Sequence, residues 1–177
     1  VISKDDCQRV IDLGKPFLEP STTLEPFQEG FRTSSNTFLN YDDGNEAVDN
    51  VFKIITNTIQ VPLENCESMQ LVHYKPGQFY KPHWDYFYTD TDIHIEETKR
   101  GGQRTWTAFL YLNDVKEGGE TYFPSIDAQV KPLTGRVVFW MNTLNGKYIE
   151  DSLHEAKPPI DCEKWGANIW VREKKYT

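Results

Sequence analysis

Apolar residues recur every three to four positions in the first third of the chain and gather into short, strand-length runs after it. Val48, Val51, Phe52, Ile55 and Ile59 share one face of a helix predicted from about Asn45 to Ile59, with Pro62 stopping its continuation. An earlier helix is predicted after Ser3-Lys4-Asp5-Asp6, where the serine can bond an early amide and Asp6 can reach back. It would end at Gly14 and bury Val10 and Ile11. Between the two helices, Pro20 to Tyr41 reads as short strands and loop, rich in Ser, Thr and Asn. From Ser68 onward the runs Met69 to Tyr74, Trp106 to Leu112, Glu120 to Phe123, Arg136 to Met141 and Ala167 to Arg172 alternate with Gly, Pro and Asp turns. Such a succession predicts a sandwich or jelly roll. The polar stretch Tyr88 to Gly102 is predicted to be an irregular lid-like loop, with Thr33 to Gly44 as its partner.

A chain of 177 residues fits one domain with a sizeable core. Within it, residues 1–67 read as a helical and strand support and residues 68–177 as the β core. Nineteen basic against 27 acidic residues give a net charge of −8, which argues against nucleic acid or an anionic membrane as partner and favours neutral or basic ones. Aromatic residues concentrate between Phe79 and Tyr88, either as core or as the wall of a groove for an extended peptide. Cys7, Cys66 and Cys162 are too scattered for a metal clip, and they leave room for one bridge at most. No apolar run predicts a membrane span, and no leader is visible. A chain that starts at Val1 reads as trimmed, so the compartment stays open: the secretory pathway for a eukaryotic protein that has lost its leader, the cytoplasm otherwise. Oligomeric state is not legible.

Chemistry enters at His83-Trp84-Asp85 and His154. Two imidazoles and one carboxylate hold ferrous iron on one face of an octahedron and leave three adjacent positions open for a cosubstrate and dioxygen. If His83 and Asp85 close a strand, the two-residue period aims both at one metal, and His154, in Asp-Ser-Leu-His-Glu-Ala, supplies the third ligand. Lys164, Asn168 and Trp170 share parity on a final strand, which would aim the ammonium inward, where an anionic ligand explains it better than packing does. A cosubstrate that chelates the iron could then rest a distal anionic group on Lys164. His73 lies on the strand face opposite Tyr74 and His94 sits in the polar stretch, so neither is a ligand candidate.

Longer segments carry a resemblance. Arg32 to Leu39 (Arg-Thr-Ser-Ser-Asn-Thr-Phe-Leu), Tyr74 to Phe87 with its Tyr-x-x-Gly-Gln-x-Tyr-x-x-His-x-Asp-Tyr-Phe spacing, Gly101 to Arg104, and Glu117 to Phe123 resemble the prolyl 4-hydroxylases of the iron(II)/2-oxoglutarate dioxygenase superfamily, of plant, algal and collagen type. The resemblance runs almost end to end. It implies a mainly β fold, a distorted double-stranded β-helix with helices packed outside. It implies Fe(II), 2-oxoglutarate, O2 and ascorbate as cofactors, and hydroxylation at C4 of proline in proline-rich peptides, coupled to decarboxylation of 2-oxoglutarate to succinate and CO2. Tyr74 and Thr121 would join Lys164 on the cosubstrate, Arg104, Trp170 and Tyr86 would contact the peptide, and substrate would order the two lid segments. After His154, where relatives carry a small residue, stand Glu155-Ala156-Lys157-Pro158-Pro159, a local departure at the rim. Competing readings are a lysyl hydroxylase or a target-specific, oxygen-sensing prolyl hydroxylase, and a non-enzymatic jelly-roll module with a structural metal.

Overall fold

The computed structural model describes residues 1–23, 30–88 and 90–177. Two helices open the fold. α1, Lys4–Gly14, starts where the Ser3 hydroxyl accepts the Asp6 N–H, and it buries Cys7, Val10, Ile11 and Gly14. Gly14 is no left-handed cap: its φ is −90° and the chain runs on into a tight turn over Lys15–Phe17. A glycine stands there because a Cβ would run into the Leu71 side chain. α2, Glu46–Ile59, is capped by Asn45, whose side chain accepts the Ala47 and Val48 N–H groups. It ends at Gln60 in the left-handed region, so Pro62 follows a stop already made.

Among the described residues, twelve strands, two of them between α1 and α2, form two facing sheets and a hairpin. β1 (Glu19–Pro20), β2 (Ser35–Leu39), β3 (Met69–Tyr74), β5 (Arg104–Tyr111), β8 (Val137–Met141) and β12 (Lys164–Arg172) form an antiparallel sheet in the order β1-β2-β3-β12-β5-β8. β4 (Tyr80–His83), β6 (Thr121–Phe123), β7 (Ala128–Val130) and β11 (His154–Ala156) form the second, ordered β4-β11-β6-β7, while β9 (Thr143–Leu144) and β10 (Lys147–Tyr148) make the hairpin. One face of the large sheet, with Leu71, Leu110, Ala167 and Ile169, packs on α1 and α2 through Val10, Val51, Phe52 and Ile55. Val72, Tyr74, Phe109, Tyr111 and Trp140 on the other face meet Phe123 of the small sheet, with Tyr80 and Val130 packed alongside. The result is the expected jelly roll with helices outside.

Several expectations change. β12 begins at Lys164, three residues earlier than its apolar run, and β4, β7 and β11 are strands too short or too polar to show a period. The stretch Tyr88 to Gly102 is not an irregular loop: it contains α3, Asp92–Lys99, capped by Thr91. Arg172 pins that helix by donating to the carbonyls of Glu97 (3.0 Å) and Gly102 (2.7 Å). Half of Thr33 to Gly44 is β2, paired along its length with β3, and so belongs to the sheet. The expectation for Pro20 to Tyr41 falls partly on residues 24–29, which lie outside the described residues, as does Thr89 in the lid stretch. Cys7, Cys66 and Cys162 are all free thiols. Among the described residues no helix is long and apolar enough to cross a membrane.

Candidate active site

The open end between the two sheets holds a cavity of about 430 Å³, and His83, Asp85, His154, Tyr74, Thr121, Lys164, Arg104, Trp170 and Tyr86 all border it. Every site residue picked from the sequence therefore meets in one place. His83 ends β4 and lies directly opposite His154, which opens β11. Asp85 is not on the strand: it stands in the bend just after it. The ligand atoms of the three lie within 4.8 Å of one another. Asp85 Oδ1 is 3.7 Å from His83 Nε2 and Asp85 Oδ2 is 3.6 Å from His154 Nε2. Those separations are too long for hydrogen bonds and suit groups that share an ion.

The surroundings prepare these atoms for a metal. His83 Nδ1 bonds the Lys81 carbonyl and His154 Nδ1 the Ser152 carbonyl, each at 2.8 Å, which makes Nδ1 the protonated nitrogen and turns each Nε2 lone pair to the shared space. Asp85 Oδ2 accepts the Thr107 hydroxyl at 2.7 Å, and Thr107 accepts the Asn142 amide at 2.8 Å. Burial, with His154 adding to it, pushes His83 down to about 3, so it is a neutral donor at neutral pH. Burial alone would raise the Asp85 carboxyl, but the neighbouring His154 and His83 outweigh it and hold it at about 2. Neutral imidazoles and an ionised carboxylate are the forms that ligate. Tyr80 stacks on His83 with ring centres 3.6 Å apart, and Trp140 leans on His154 at 4.6 Å.

Deeper in the cavity, the Lys164 ammonium is fully buried and has no hydrogen-bond partner among the described residues. Rings of Tyr74, Phe109 and Tyr111 surround it at 5.1 to 5.5 Å. Burial pushes its amine down to about 7, with Glu120 only partly opposing. A cation so placed, in an aromatic chamber that Tyr74 and Thr121 also border, can receive a carboxylate. The donor set and this orphaned ammonium together fit iron(II) and 2-oxoglutarate.

On the outer side, Arg104 is committed to a partner the sequence did not reveal. Its Nε and Nη2 bond the two Glu67 carboxylate oxygens at 2.7 and 2.8 Å, and its guanidinium carbon lies 3.7 Å from the centre of the Trp170 ring. Glu67 also receives Arg172, which is almost fully buried. Only Nη1, 3.5 Å from the Asp85 carbonyl, is left without a strong bond. Tyr86 stacks flat on Tyr148 from the β9–β10 hairpin, at 4.3 Å and 9°. Glu67, Thr107, Asn142 and Tyr148 were missed because their partners are 22 to 105 residues away along the chain. The parity of Thr107 with Phe109 and Tyr111 on β5 was the one available signal. His73 stacks on Trp165 on the helix side of the sheet and pairs with Glu163 at 3.1 Å, and the His94 ring accepts the Tyr88 N–H at 2.9 Å, so neither joins the triad.

Comparison with known proteins matches residues 69–172 to the 2OG-Fe(II) oxygenase superfamily. Prolyl 4-hydroxylase 1 of Arabidopsis thaliana is 35% identical over 98% of this chain and 66% of its own length. Prolyl 4-hydroxylase 5 of the same plant is 31% identical over 99% of this chain and 67% of its own. The chain thus spans about two thirds of the length of these relatives. A viral collagen prolyl hydroxylase of Paramecium Bursaria Chlorella virus-1, solved as its 2OG complex, superposes with a TM-score of 0.76 at 26% identity, covering 96% of this chain and 91% of that one.

Proposed function

We infer the reaction from one premise: the chain belongs to the 2OG-Fe(II) oxygenase superfamily and, within it, to the prolyl 4-hydroxylases. It is a 2-oxoglutarate- and iron(II)-dependent dioxygenase that hydroxylates proline. The substrate we assign is an extended proline-rich peptide, modified at C4 of the ring, with residues 1–177 acting as one catalytic unit. The observation that carries this reading is a His-Asp-His triad and an unpartnered buried ammonium bordering one cavity.

When bound, iron(II), 2-oxoglutarate and dioxygen supply an oxidative decarboxylation that yields succinate and CO2 and delivers one oxygen atom to the substrate carbon. Ascorbate, typical of the family, would keep the iron ferrous. In our assignment His83, Asp85 and His154 would hold the metal. Lys164, Thr121 and Tyr74 take the distal carboxylate, and their depth inside the sheets keeps water from that end. Trp170, held against Arg104, and Tyr86, backed by Tyr148, form apolar walls against which pyrrolidine rings can pack. Arg104 has Nη1 left to donate to a peptide carbonyl. A polyproline II segment suits such walls because its shape is already populated in solution and little entropy is lost on docking.

The test is incubation with iron(II), 2-oxoglutarate, ascorbate and a panel of poly-proline, Ser-Pro and Pro-Pro-Gly peptides, read by mass spectrometry with fragment mapping. One oxygen gained on proline, with succinate formed in step, is the expected result. Oxygen gained only on lysine, or only on an intact folded partner, would replace the assigned substrate and leave the iron chemistry standing. Absence of any 2-oxoglutarate turnover would favour a module whose metal is structural.

A further inference from the structure

Tyr86, in the bend that follows β4, comes directly after Asp85 in the chain and borders the cavity. Its ring lies flat on that of Tyr148 from the β9–β10 hairpin, with centres 4.3 Å and planes 9° apart. Among the described residues no other two tyrosines stack face to face; Tyr88 meets Tyr86 edge-on, at 5.4 Å and 74°. Hydrogen bonds fix the stack from behind. The Tyr148 hydroxyl donates to the Phe87 carbonyl at 3.2 Å, and Gln103 clamps the same residue, its Oε1 taking the Phe87 N–H at 2.9 Å and its Nε2 giving to the carbonyl at 2.6 Å. Tyr86 is buried and Tyr148 is 40% exposed, so the pair runs from the site to water. Two phenylalanines would stack as well. What the hydroxyls add is that each ring can yield one electron together with one proton.

Resting on the iron(II)/2-oxoglutarate reading above, we propose that Tyr86 and Tyr148 are a two-electron reductant for turnover that finds no peptide to hydroxylate, and that they end joined by a carbon–carbon bond. Decarboxylation of 2-oxoglutarate without substrate leaves a two-electron oxidant, carrying one oxygen atom, at the triad. Tyr86 gives up one electron and one proton from the cavity side, and Tyr148 gives up one of each through the stack. Together they reduce the oxygen to water and return the iron to the ferrous state. Unpaired spin on each phenoxyl spreads to the ring carbons beside the one that bears oxygen, and flat stacking sets those carbons of one ring over the other. Coupling forms one carbon–carbon bond. The hydrogen on each coupled carbon then moves to its oxygen as a proton and restores both phenols, so the pair loses two hydrogens in all. An edge-on pair turns C–H bonds to a ring face, and Tyr86 with Tyr88 lacks the overlap. His83 and His154 are thereby spared the oxidant.

Two arms on the full chain test the pair, both read by peptide mapping for a Tyr86–Tyr148 link and by the blue fluorescence of joined phenols. In the first, the protein turns over with iron(II), 2-oxoglutarate and oxygen, without peptide or ascorbate. In the second, metal-free protein is illuminated with tris-bipyridine ruthenium(II) and persulfate, which withdraw electrons from tyrosines with no iron present. The link is expected in both arms, and ascorbate should suppress it in the first. Tyr86→Phe and Tyr148→Phe should each abolish it, while Tyr88→Phe should leave it in place. 2-Oxoglutarate consumed in the first arm with no link formed, a link from Tyr86 to Tyr88 instead, or no link in the second arm would each overturn the proposal. Should a phenylalanine variant fail to fold, the parent chain alone decides, since mapping needs no variant. Failure of the underlying reading looks different: no 2-oxoglutarate is consumed in the first arm although the second still joins the pair, and the proposal then falls with the iron chemistry it rests on.

Discussion

At the scale of single residues, the role proposed for Lys164 trades stability for binding. Its amine sits at about 7 in the folded protein, lowered by burial, against ~10.4 in an unfolded chain. The unfolded state therefore binds more protons between those values, and this group's contribution to stability rises with pH there. Its penalty is complete below about 7 and fades toward ~10.4. Lys164→Met should raise the ligand-free melting temperature near neutral pH, by an amount equivalent to roughly 1–3 kcal/mol, with the gain shrinking in alkaline buffer. The same variant should need far more 2-oxoglutarate, by roughly 30-fold or more if a charged partner is worth about 2–5 kcal/mol, with the peptide requirement little changed. Lys164→Arg should keep part of the function. In the parent protein 2-oxoglutarate affinity should fall as pH rises above about 7, since the free amine then loses the proton its ligand needs. Parallel melts and titrations across pH check both halves; a Met variant that is less stable than its parent would show that the ammonium is satisfied after all.

A second residue-scale expectation concerns Thr107, whose hydroxyl reaches Asp85 with Asn142 behind it. Thr107→Val is near-isosteric and leaves every ligand in place. It should still weaken metal binding by about 10- to 100-fold, because the carboxylate loses the bond that fixes its orientation. Competition against a fluorescent chelator measures this directly, and an unchanged affinity would mean that strand geometry alone orients Asp85.

At the scale of elements, Gly166 lets β12 and β5 build the chamber floor. A Cβ there would run into the Phe109 ring, whose far end reaches over the glycine. Gly166→Ala should drive that ring toward the cavity, destabilising the fold by about 1–3 kcal/mol and lowering 2-oxoglutarate affinity together. A crystal structure of the variant with the ring unmoved and affinity intact would refute the role given to the glycine. Elements also explain what the sequence discloses. α2 is legible because one face is buried on a sheet and the other is wet, which writes the period into the residues. α3 is not, because Ile93 and Ile95 point outward while His94 is buried, and the helix is held by Thr91 and by Arg172 from a remote strand. β4 carries Lys81 and Pro82, exposed at an edge, and β11 is three residues long; neither can show alternation. The triad and Lys164 stand out in the sequence because a histidine-carboxylate pair and a lysine leading an apolar strand are unusual there. Glu67 looks like any surface acid, since nothing local announces that Arg104 and Arg172 will close over it.

At the scale of the whole molecule, the order of strands in the large sheet sets when the fold can exist. β12, the last of the described strands, lies in the interior of that sheet, between β3 and β5, and pairs with residues about 55 to 100 positions before it. During synthesis β3 and β5 therefore wait with open edges, and an open apolar edge is a template for pairing with another chain. Such long-range closure is slow relative to local folding. A chain truncated before Lys164 should accumulate as aggregate although it retains 163 of the 177 residues and every metal ligand. Soluble, monomeric truncated protein, read by sedimentation, would contradict this. Adding residues 164–177 back as a peptide should rescue solubility only if present while the chain refolds. Until the residues from Lys164 onward can insert between β3 and β5, the nascent protein holds its metal ligands on a sheet that has not closed, and it depends then on chaperone cover.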